Sequence, residues 1–202
     1  MMKLSRDFYK KSSIHLSQDL LGKIFVNIID GKKLRCRIVE VEAYMGTEDK
    51  AAHSYRGKRT KRTEVMYGKP GLLYVFFVYG MYNCVNIVAA EVDVPQAVLI
   101  RAAEPLEGME EMAIRRFNKQ YSELSEKQKI NLTNGPGKLC IAIGIDKTAN
   151  GEDLCSDNLY LEEDGYKPEV VTSKRIGIDY AEEAVDLPFR FYIKDNKYVS
   201  VQ

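Results

Sequence analysis

The stretch GLLYVFFVYGMYNCVNIVAA, residues 71–90, sets the interpretation of the whole chain. Its 20 residues carry no charge, and a helix of that length spans a bilayer. Five polar side chains would then lie deep in the membrane, where they are unfavourable: Tyr74, Tyr79, Tyr82, Asn83 and Asn86. Aromatic and β-branched residues favour strands instead, and Gly80 allows a bend. The stretch therefore predicts two buried strands joined at Tyr79 and Gly80.

The composition around this hairpin is typical of a single soluble domain over residues 1–202. Apolar residues make up 45% and charged residues 29%, and the formal net charge is +1, so no charge excess indicates a nucleic acid or a membrane as partner. Four cysteines without a CxxC pair, and only two histidines, argue against a zinc site or a disulfide framework. The polar N-terminus lacks the apolar stretch of a secretory signal. We therefore expect no metal and a reducing cytoplasm as the location.

Alternation, helical periodicity and turn residues predict a mixed α/β chain on either side of the hairpin. Strands are expected at 23–29, 34–44, 97–102, 158–161, 169–177 and 189–201. Helices are expected at 16–21, 106–121 and 135–143. Residues 45–70 show no periodicity and contain three glycines and a proline, so they predict a long loop. Loops of that length in compact domains are usually functional.

Charge is segregated along the chain although it nearly cancels. Residues 56–69 contain six basic side chains and one acid, whereas residues 150–186 contain eleven acids and three bases. Lysine and arginine gain affinity for phosphates by releasing counterions, so the basic run, with Arg59 and Arg62, is a candidate contact with a nucleic-acid backbone. A solvated loop explains the same charges equally well.

No short motif identifies a reaction. The chain lacks GxxxxGK[ST], HExxH and GxSxG, which removes the usual support for nucleotide hydrolysis, zinc hydrolysis and esterase chemistry. Alternation in the strand 34–44 places Glu40, Glu42 and Tyr44 on one face, and acids on a strand face are mostly solvated. Arg101 ends the apolar run AVLIR, where it either pairs with a carboxylate, leaves the core for the surface, or fixes a carboxylate in a site.

The same alternation groups aromatic residues in the hairpin. Tyr74 and Phe76 share one face of its first strand, and such rings are mostly core residues because they bury large apolar areas. Tyr79 is the exception, since an exposed ring at a strand tip can act as a wedge between bases. His53 follows two alanines and fits a structural histidine or a ligand contact equally well.

Five blocks of sequence, in the same order, carry a resemblance to one known family. They are RIVEVEAYMGTEDKAAHS (37–54), KPGLLYVFFVYGMYNCVNI (69–87), VLIRAAEPLEG (98–108), GPGKLC (135–140) and LPFRFYI (187–193). With these blocks the chain resembles the alkyladenine DNA glycosylases, also called methylpurine or 3-methyladenine DNA glycosylases. The blocks are long and specific, and the match is collinear over nearly the whole chain.

The resemblance implies a fold and an activity. The fold is a single mixed α/β (α+β) domain, with a curved antiparallel sheet flanked by helices and the hairpin protruding into the minor groove. The activity is that of a monofunctional DNA glycosylase of base excision repair, which hydrolyses the N-glycosidic bond of flipped purines and leaves an abasic site. The implied lesions are 3-methyladenine, 7-methylguanine, hypoxanthine and ethenoadenine. The implied partner is damaged double-stranded DNA. The sequence carries no signal of oligomeric state, so we take the protein as a monomer by default, and we expect it to need no metal, organic cofactor or membrane.

The resemblance also implies roles for residues of a catalytic pocket. Glu42 is the general base that activates a water, and Arg101 positions that water and the carboxylate. Tyr44 and His53 line one face of the flipped base, and Phe76 stacks on the other. Members of the family often have tyrosine where Phe76 stands, so this chain keeps the π-face and lacks the hydroxyl.

Further residues are implied to contact the lesion or the duplex. Tyr74 holds the pocket histidine in place, and Asn86 crowds the exocyclic amine of guanine. Tyr79 fills the gap that the flipped nucleotide leaves in the duplex, while Met81 and Tyr82 contact the neighbouring DNA.

Two other functions are compatible with an aromatic slot beside a basic loop. One is a non-catalytic binder of damaged or single-stranded nucleic acid. The other is a hydrolase of free purine nucleosides, which would depend little on duplex DNA or on salt.

Overall fold

One antiparallel sheet organises the computed structural model, which describes residues 1–78 and 80–201. Within these residues the sheet has nine strands: β1 (Met2–Lys3), β2 (Ile24–Ile29), β3 (Lys32–Tyr44), β4 (Leu73–Val78), β5 (Tyr82–Ala89), β6 (Gln96–Glu107), β7 (Leu159–Glu163), β8 (Val170–Ser173) and β9 (Arg190–Ile193). The helices are α1 (Arg6–Tyr9), α2 (Ser13–Leu20), α3 (Met109–Phe117), α4 (Glu126–Ile130) and α5 (Pro136–Ala142). The expected fold class, a mixed α/β chain with an antiparallel sheet flanked by helices, is confirmed.

The long strand β3 lies at the centre of the sheet. The strand order is β1-β7-β2-β3-β6-β5-β4, and β9 pairs with both β3 and β8. On one edge, β3 pairs with β6 from Arg35 to Tyr44. On the other edge it pairs with β2 as far as Arg37 and then with β9 from Glu40 to Glu42. Register shifts on either side of Glu40 accompany this change of partner.

The two faces of β3 have different neighbours. Val39, Val41 and Ala43 belong to the main hydrophobic core. Side chains of α2, α3 and α5 join the same core, and these helices pack against the central strands. The alternate side chains, Glu40, Glu42 and Tyr44, therefore lie on the face away from these helices. This division between the faces is the one that the sequence predicts.

The hairpin expected at residues 71–90 is present as β4 and β5, with Tyr74 opposite Asn86 and Val78 opposite Tyr82. Tyr79, expected at its tip, lies outside the described residues. No helix among the residues that the structure describes is long and apolar enough to cross a membrane. Residues 45–70 form no α-helix or strand, as expected, and contain three short 3-10 turns.

Several expected element boundaries are wrong. Strand β6 continues to Glu107, where a helix from 106 to 121 was expected, and α3 spans only Met109–Phe117. Gly108, with a φ of 83°, separates the strand from the helix because few other residues adopt that conformation. Only Arg190–Ile193 of the expected strand 189–201 is a strand. The segment after it turns back onto β3, where the backbone N–H of Ser200 donates to Glu40.

Gly108 should tolerate a side chain poorly. A Cβ there would lie 2.6 Å from Leu34 Cδ2 and 2.8 Å from the Lys33 carbonyl oxygen, in addition to the unfavourable positive φ. We expect Gly108→Ala to lower the free energy of unfolding by about 2–5 kcal/mol in urea titrations. Gly31→Ala is the matched control, since Gly31 also has a positive φ (75°) but nothing within 4 Å of its Cβ position. Equal losses in the two variants would contradict the steric argument.

Candidate active site

A cavity of about 940 Å³ opens beside the β4–β5 hairpin. Its walls come from β3, β4, β5 and β6, from the loop 45–70 and from the segment 176–180. The lining includes eight of the residues that the sequence singles out: Tyr44, His53, Arg62, Tyr74, Phe76, Tyr82, Asn86 and Arg101. The fold thus brings together side chains that lie far apart in the sequence.

Glu42 lies behind this lining and is fully buried. Its Oε1 accepts one hydrogen bond, from the backbone N–H of Ile176 at 2.7 Å, and forms an ion pair with Arg101 Nη1 at 3.2 Å. Its Oε2 accepts from the Tyr44 hydroxyl at 2.9 Å. Burial raises the pKa of the Glu42 carboxyl, while Arg101, the Ile176 N–H and Tyr44 partly offset that rise. A carboxyl with a raised pKa is better matched to general-base chemistry near neutral pH.

Arg101 is the cation that contacts the buried carboxylates of Glu42 and Glu40. Burial disfavours its charged form, but the carboxylates of Glu42 and Glu40 outweigh this and raise the pKa of the Arg101 guanidinium. Its Nε donates to Glu40 Oε1 at 3.0 Å. The expectation that Arg101 pairs with a carboxylate is confirmed, and the guanidinium contacts two carboxylates rather than one.

Tyr44 connects the Glu42 carboxylate to a second buried ion pair, between Arg175 and Asp49. Arg175 lies over its ring, with the guanidinium carbon 4.9 Å from the ring centroid. Arg175 also pairs with Asp49 at 2.6 Å, and this buried contact ties the segment that carries Ile176 to the loop 45–70. Burial, and next the charge of Glu42, raise the pKa of the Tyr44 hydroxyl well above its ordinary value. The hydroxyl therefore stays protonated and remains a donor to Glu42.

Three of the rings that line the cavity, those of His53, Tyr74 and Phe76, lie against one another. The His53 and Phe76 rings meet edge to face, with centroids 4.6 Å apart, and the Tyr74 and Phe76 centroids are 5.4 Å apart. His53 Nδ1 is hydrogen-bonded to the Tyr74 hydroxyl at 2.9 Å. Burial, followed by the charges of Arg62 and Lys58, lowers the pKa of His53 to about 4. The His53 ring is therefore neutral at pH 7, so it does not repel a positively charged ligand in the cavity.

Asn86 is buried in the same wall. Its amide nitrogen donates to the backbone carbonyl of Tyr74 at 3.1 Å. This bond fixes the side chain against the first strand of the hairpin. A rigid amide at this position can discriminate between purines by shape.

The residues predicted to contact DNA differ in their exposure and in their ion pairing. Met81 and Tyr82 are exposed hydrophobic side chains at the start of the second hairpin strand. Arg62 lines the cavity, where its guanidinium carbon lies 5.3 Å from the Phe76 ring centroid. Arg59 is ion-paired with Glu64 at 2.7 Å and with Asp93 at 2.8 Å. Exposed pairs of this kind are weak, so a phosphate can compete with Glu64 and Asp93 for Arg59.

Sequence reasoning missed part of this site. Glu40, expected to be solvated with Glu42, is fully buried and pairs with both Arg101 and Arg190. The backbone N–H of Ile176 was not a candidate either. The one available signal for Glu40 was its shared face with Glu42, together with an arginine inside an apolar strand.

Metal-ligating residues do not cluster in the part of the chain that the structure describes. No group of three or more histidine, cysteine, aspartate or glutamate side chains there has a geometry that could hold a metal ion. The four cysteines are free thiols, and three of them are buried.

The chain is similar to a known family and to individual proteins over its whole length. Residues 7–197 match the model of a family described as "Methylpurine-DNA glycosylase (MPG)". A protein of Desulfitobacterium hafniense (strain Y51) named "Putative 3-methyladenine DNA glycosylase" is 59% identical over 203 residues, which cover 100% of each chain. Proteins of the same name from Alkaliphilus oremlandii and Clostridium novyi are 56% and 55% identical over 200 residues. Those alignments cover 98% and 99% of this chain and 99% of each relative.

The lowered pKa of His53 predicts a specific dependence of stability on pH. Unfolding releases the imidazole, whose pKa then returns to about 6.5. Between pH 6.5 and about 4 the unfolded chain binds this proton and the folded chain does not, so stability falls as the pH falls through that window. Because part of the ring is exposed, we expect a loss of roughly 1–2 kcal/mol at pH 4.5.

Urea unfolding of the wild type and of His53→Gln at pH 7.0 and pH 4.5 measures this loss. The wild type should lose more stability than the variant between these two pH values. Equal losses would show that the imidazole binds its proton as readily in the fold as in the unfolded chain.

Proposed function

The chain belongs to the methylpurine-DNA glycosylase family, a family of DNA repair enzymes, and on that premise we propose how its site performs the reaction. The proposal is that the enzyme turns an alkylated or deaminated purine out of duplex DNA and hydrolyses its N-glycosidic bond with a water that Glu42 activates. One observation carries it: a buried glutamate with a raised pKa lies directly behind an aromatic cavity, held there by Arg101, Tyr44 and Ile176.

The proposed chemical step uses water as the nucleophile. Glu42 takes a proton from the water as the oxygen attacks the anomeric carbon of the damaged nucleotide. The bond between that carbon and the purine nitrogen breaks, and its electron pair leaves with the base. Positive charge develops on the sugar in the transition state, and the carboxylate of Glu42 stabilises it. Since no amine of the protein bonds to the sugar, the product is an abasic site and an intact strand.

The cavity is suited to a purine that carries a positive charge. Alkylation of a ring nitrogen makes the base cationic, and a cation is attracted to the faces of aromatic rings. Phe76 and Tyr74 provide such rings, and His53 beside them is neutral. A neutral lesion such as hypoxanthine or ethenoadenine lacks this attraction and needs a proton donor for its leaving nitrogen.

Selection against normal bases begins before the chemical step. Extruding a base costs a few kcal/mol, and the cost is lower where damage has weakened the pairing. In the proposal, Asn86 then crowds the exocyclic amine of guanine, and its hydrogen bond to Tyr74 holds it in place. We include 3-methyladenine, 7-methylguanine, hypoxanthine and ethenoadenine among the substrates.

Five residues are proposed to contact the DNA. Tyr79 fills the space that the flipped nucleotide leaves, and Met81 and Tyr82 contact the adjoining nucleotides. Arg59 and Arg62 bind phosphates in exchange for their partners in the free protein. We propose that the enzyme acts as a monomer in the cytoplasm, without a metal or an organic cofactor.

Glu42→Gln separates an enzyme from a binding protein. The substitution keeps the shape of the side chain and removes its basicity, so base release from a hypoxanthine or 3-methyladenine duplex should fall by about 10²–10⁴-fold. Affinity for the same duplex should stay within a fewfold of the wild type. In the wild type, the rate should fall as the pH drops through the raised pKa of Glu42, because protonation removes the base.

The control for this variant is Glu162→Gln, which also neutralises a buried strand glutamate paired with an arginine, Arg35. Its base release should match the wild type. Full activity in Glu42→Gln would remove Glu42 from the mechanism. Release of base from free nucleosides at the duplex rate would favour a nucleoside hydrolase.

Tyr79→Ser tests the wedge. Without the Tyr79 ring, the state with the nucleotide turned out of the duplex is less stable, by an amount on the order of the cost of unstacking a base. Processing of a paired lesion should therefore slow by about 10–100-fold. The same lesion in single-stranded DNA, which needs no extrusion, should be processed at nearly the wild-type rate. Val92→Ser is the control, since Val92 is an exposed apolar side chain outside the cavity lining. Equal slowing on both substrates would argue against a wedge.

A further inference from the structure

Glu40 is a second buried carboxylate, one alternate position before Glu42 on β3, and the mechanism above does not use it. Its Oε1 accepts hydrogen bonds from Arg101 Nε at 3.0 Å, Arg190 Nη1 at 2.9 Å and Ser200 Oγ at 3.0 Å. Its Oε2 accepts from the backbone N–H of Ser200 at 2.7 Å. Burying a carboxylate is unfavourable unless its oxygens are paired this fully.

The contact with Glu40 determines how Arg101 meets Glu42. Arg101 donates to Glu40 through Nε and pairs with Glu42 through Nη1, at 3.2 Å from Oε1. A free guanidinium prefers a bidentate contact that occupies both oxygens of one carboxylate. Because Glu40 holds the Nε edge, Arg101 reaches only Oε1 of Glu42. Oε2 keeps the Tyr44 hydroxyl as a donor, and a carboxylate oxygen can accept a second hydrogen bond, from a water.

The C-terminal segment supports Glu40 from behind. Val199 is buried in the main core, and Ser200 supplies two of the hydrogen bonds to Glu40. Arg190 Nη1 bridges Glu40 and the backbone carbonyl of Val201, to which it donates at 2.8 Å. The end of the chain thus closes a network that runs from Ser200 through Glu40 and Arg101 to Glu42.

We propose that Glu40 is a positioning residue for base excision, which holds Arg101 edge-on to Glu42 so that one oxygen of the catalytic carboxylate stays available to water. Hydrogen bonds from Ser200 and Arg190 hold Glu40 in the position that this role requires. This inference rests on the proposed role of Glu42 as the general base.

The electrostatic consequence follows from the groups that face Glu42. They are Arg101 on β6, Glu40 and Tyr44 on β3, Arg190 on β9, Cys84 on β5 and Arg175 beside Tyr44. Among these, the negative charge of Glu40 raises the pKa of Glu42, and the positive charge of Arg101 lowers it. Neutralising Glu40 removes the first effect and frees Arg101 to strengthen the second. Both changes lower the pKa of Glu42 and make it a weaker base.

Glu40→Gln is the decisive variant, and three quantities measure its effect. With a hypoxanthine duplex, kcat should fall by about 10–100-fold, since small misplacements of catalytic groups have effects of that size. KM should stay within about twofold, because Glu40 does not line the cavity. The acidic limb of the pH profile of kcat should move to lower pH. Titration of the Glu42 carboxyl by carbon-13 NMR, assigned with Glu42→Gln, should show the same displacement without any reference to activity.

Two further variants serve as controls. Glu162→Gln should leave kcat, the pH profile and the pKa of Glu42 unchanged, although it also removes a buried, arginine-paired charge. Glu40→Asp keeps the charge but draws it back from Arg101, so kcat should fall while KM stays the same. If Glu40→Gln does not fold, Glu40→Asp carries the test.

The outcomes distinguish this inference from the function on which it rests. A wild type that releases no base overturns the proposed function, and the NMR titration then still decides whether Glu40 controls Glu42. An unchanged pKa of Glu42 in Glu40→Gln overturns the positioning role. A wild-type kcat in Glu40→Asp does the same.

Discussion

Two carboxylates on one face of β3 share a single buried arginine, and the rest of the site depends on that arrangement. An isolated buried carboxylate would be strongly unfavourable, so each oxygen of Glu40 and Glu42 requires a donor. Those donors come from β6, from β9, from the C-terminal segment and from the segment that carries Ile176. The need to pair two acids therefore fixes the positions of four distant parts of the chain.

The sheet topology makes this pairing possible. Strand β2 leaves the edge of β3 after Arg37, and β9 takes over that edge from Glu40 to Glu42. The exchange brings Arg190 beside the carboxylates, opposite Arg101 on the other edge. Register shifts around Glu40 fit the extra curvature that such a crossing needs. Helices cover the reverse face of the strand, so the polar network faces the cavity and the apolar side chains face the core.

Local patterns predicted the elements but not the burial of the acids. Alternation separated Val39, Val41 and Ala43 from the polar face, and the uncharged run 71–90 predicted the hairpin, because both signals span only a few residues. The donors that make burial of Glu40 favourable lie 61, 150 and 160 residues further along the chain, so no local window contains them. The resemblance supplied Glu42 and Arg101 as a pair but no role for Glu40.

The paired acids limit the positive charge behind the cavity, which would otherwise oppose the binding of a cationic purine. Glu40 and Glu42 offset Arg101 and Arg190 within the buried network, so the arginines add little net positive charge behind the cavity. The His53 ring in front is also uncharged, because burial keeps it neutral, whereas Arg62 carries a positive charge on the same wall. A charged histidine would stand 4.6 Å from the Phe76 ring and repel the lesion. The proposed selectivity for alkylated purines thus depends on the paired acids and the neutral imidazole together, since an uncompensated charge at either place would add to the positive charge of Arg62 on the cavity wall.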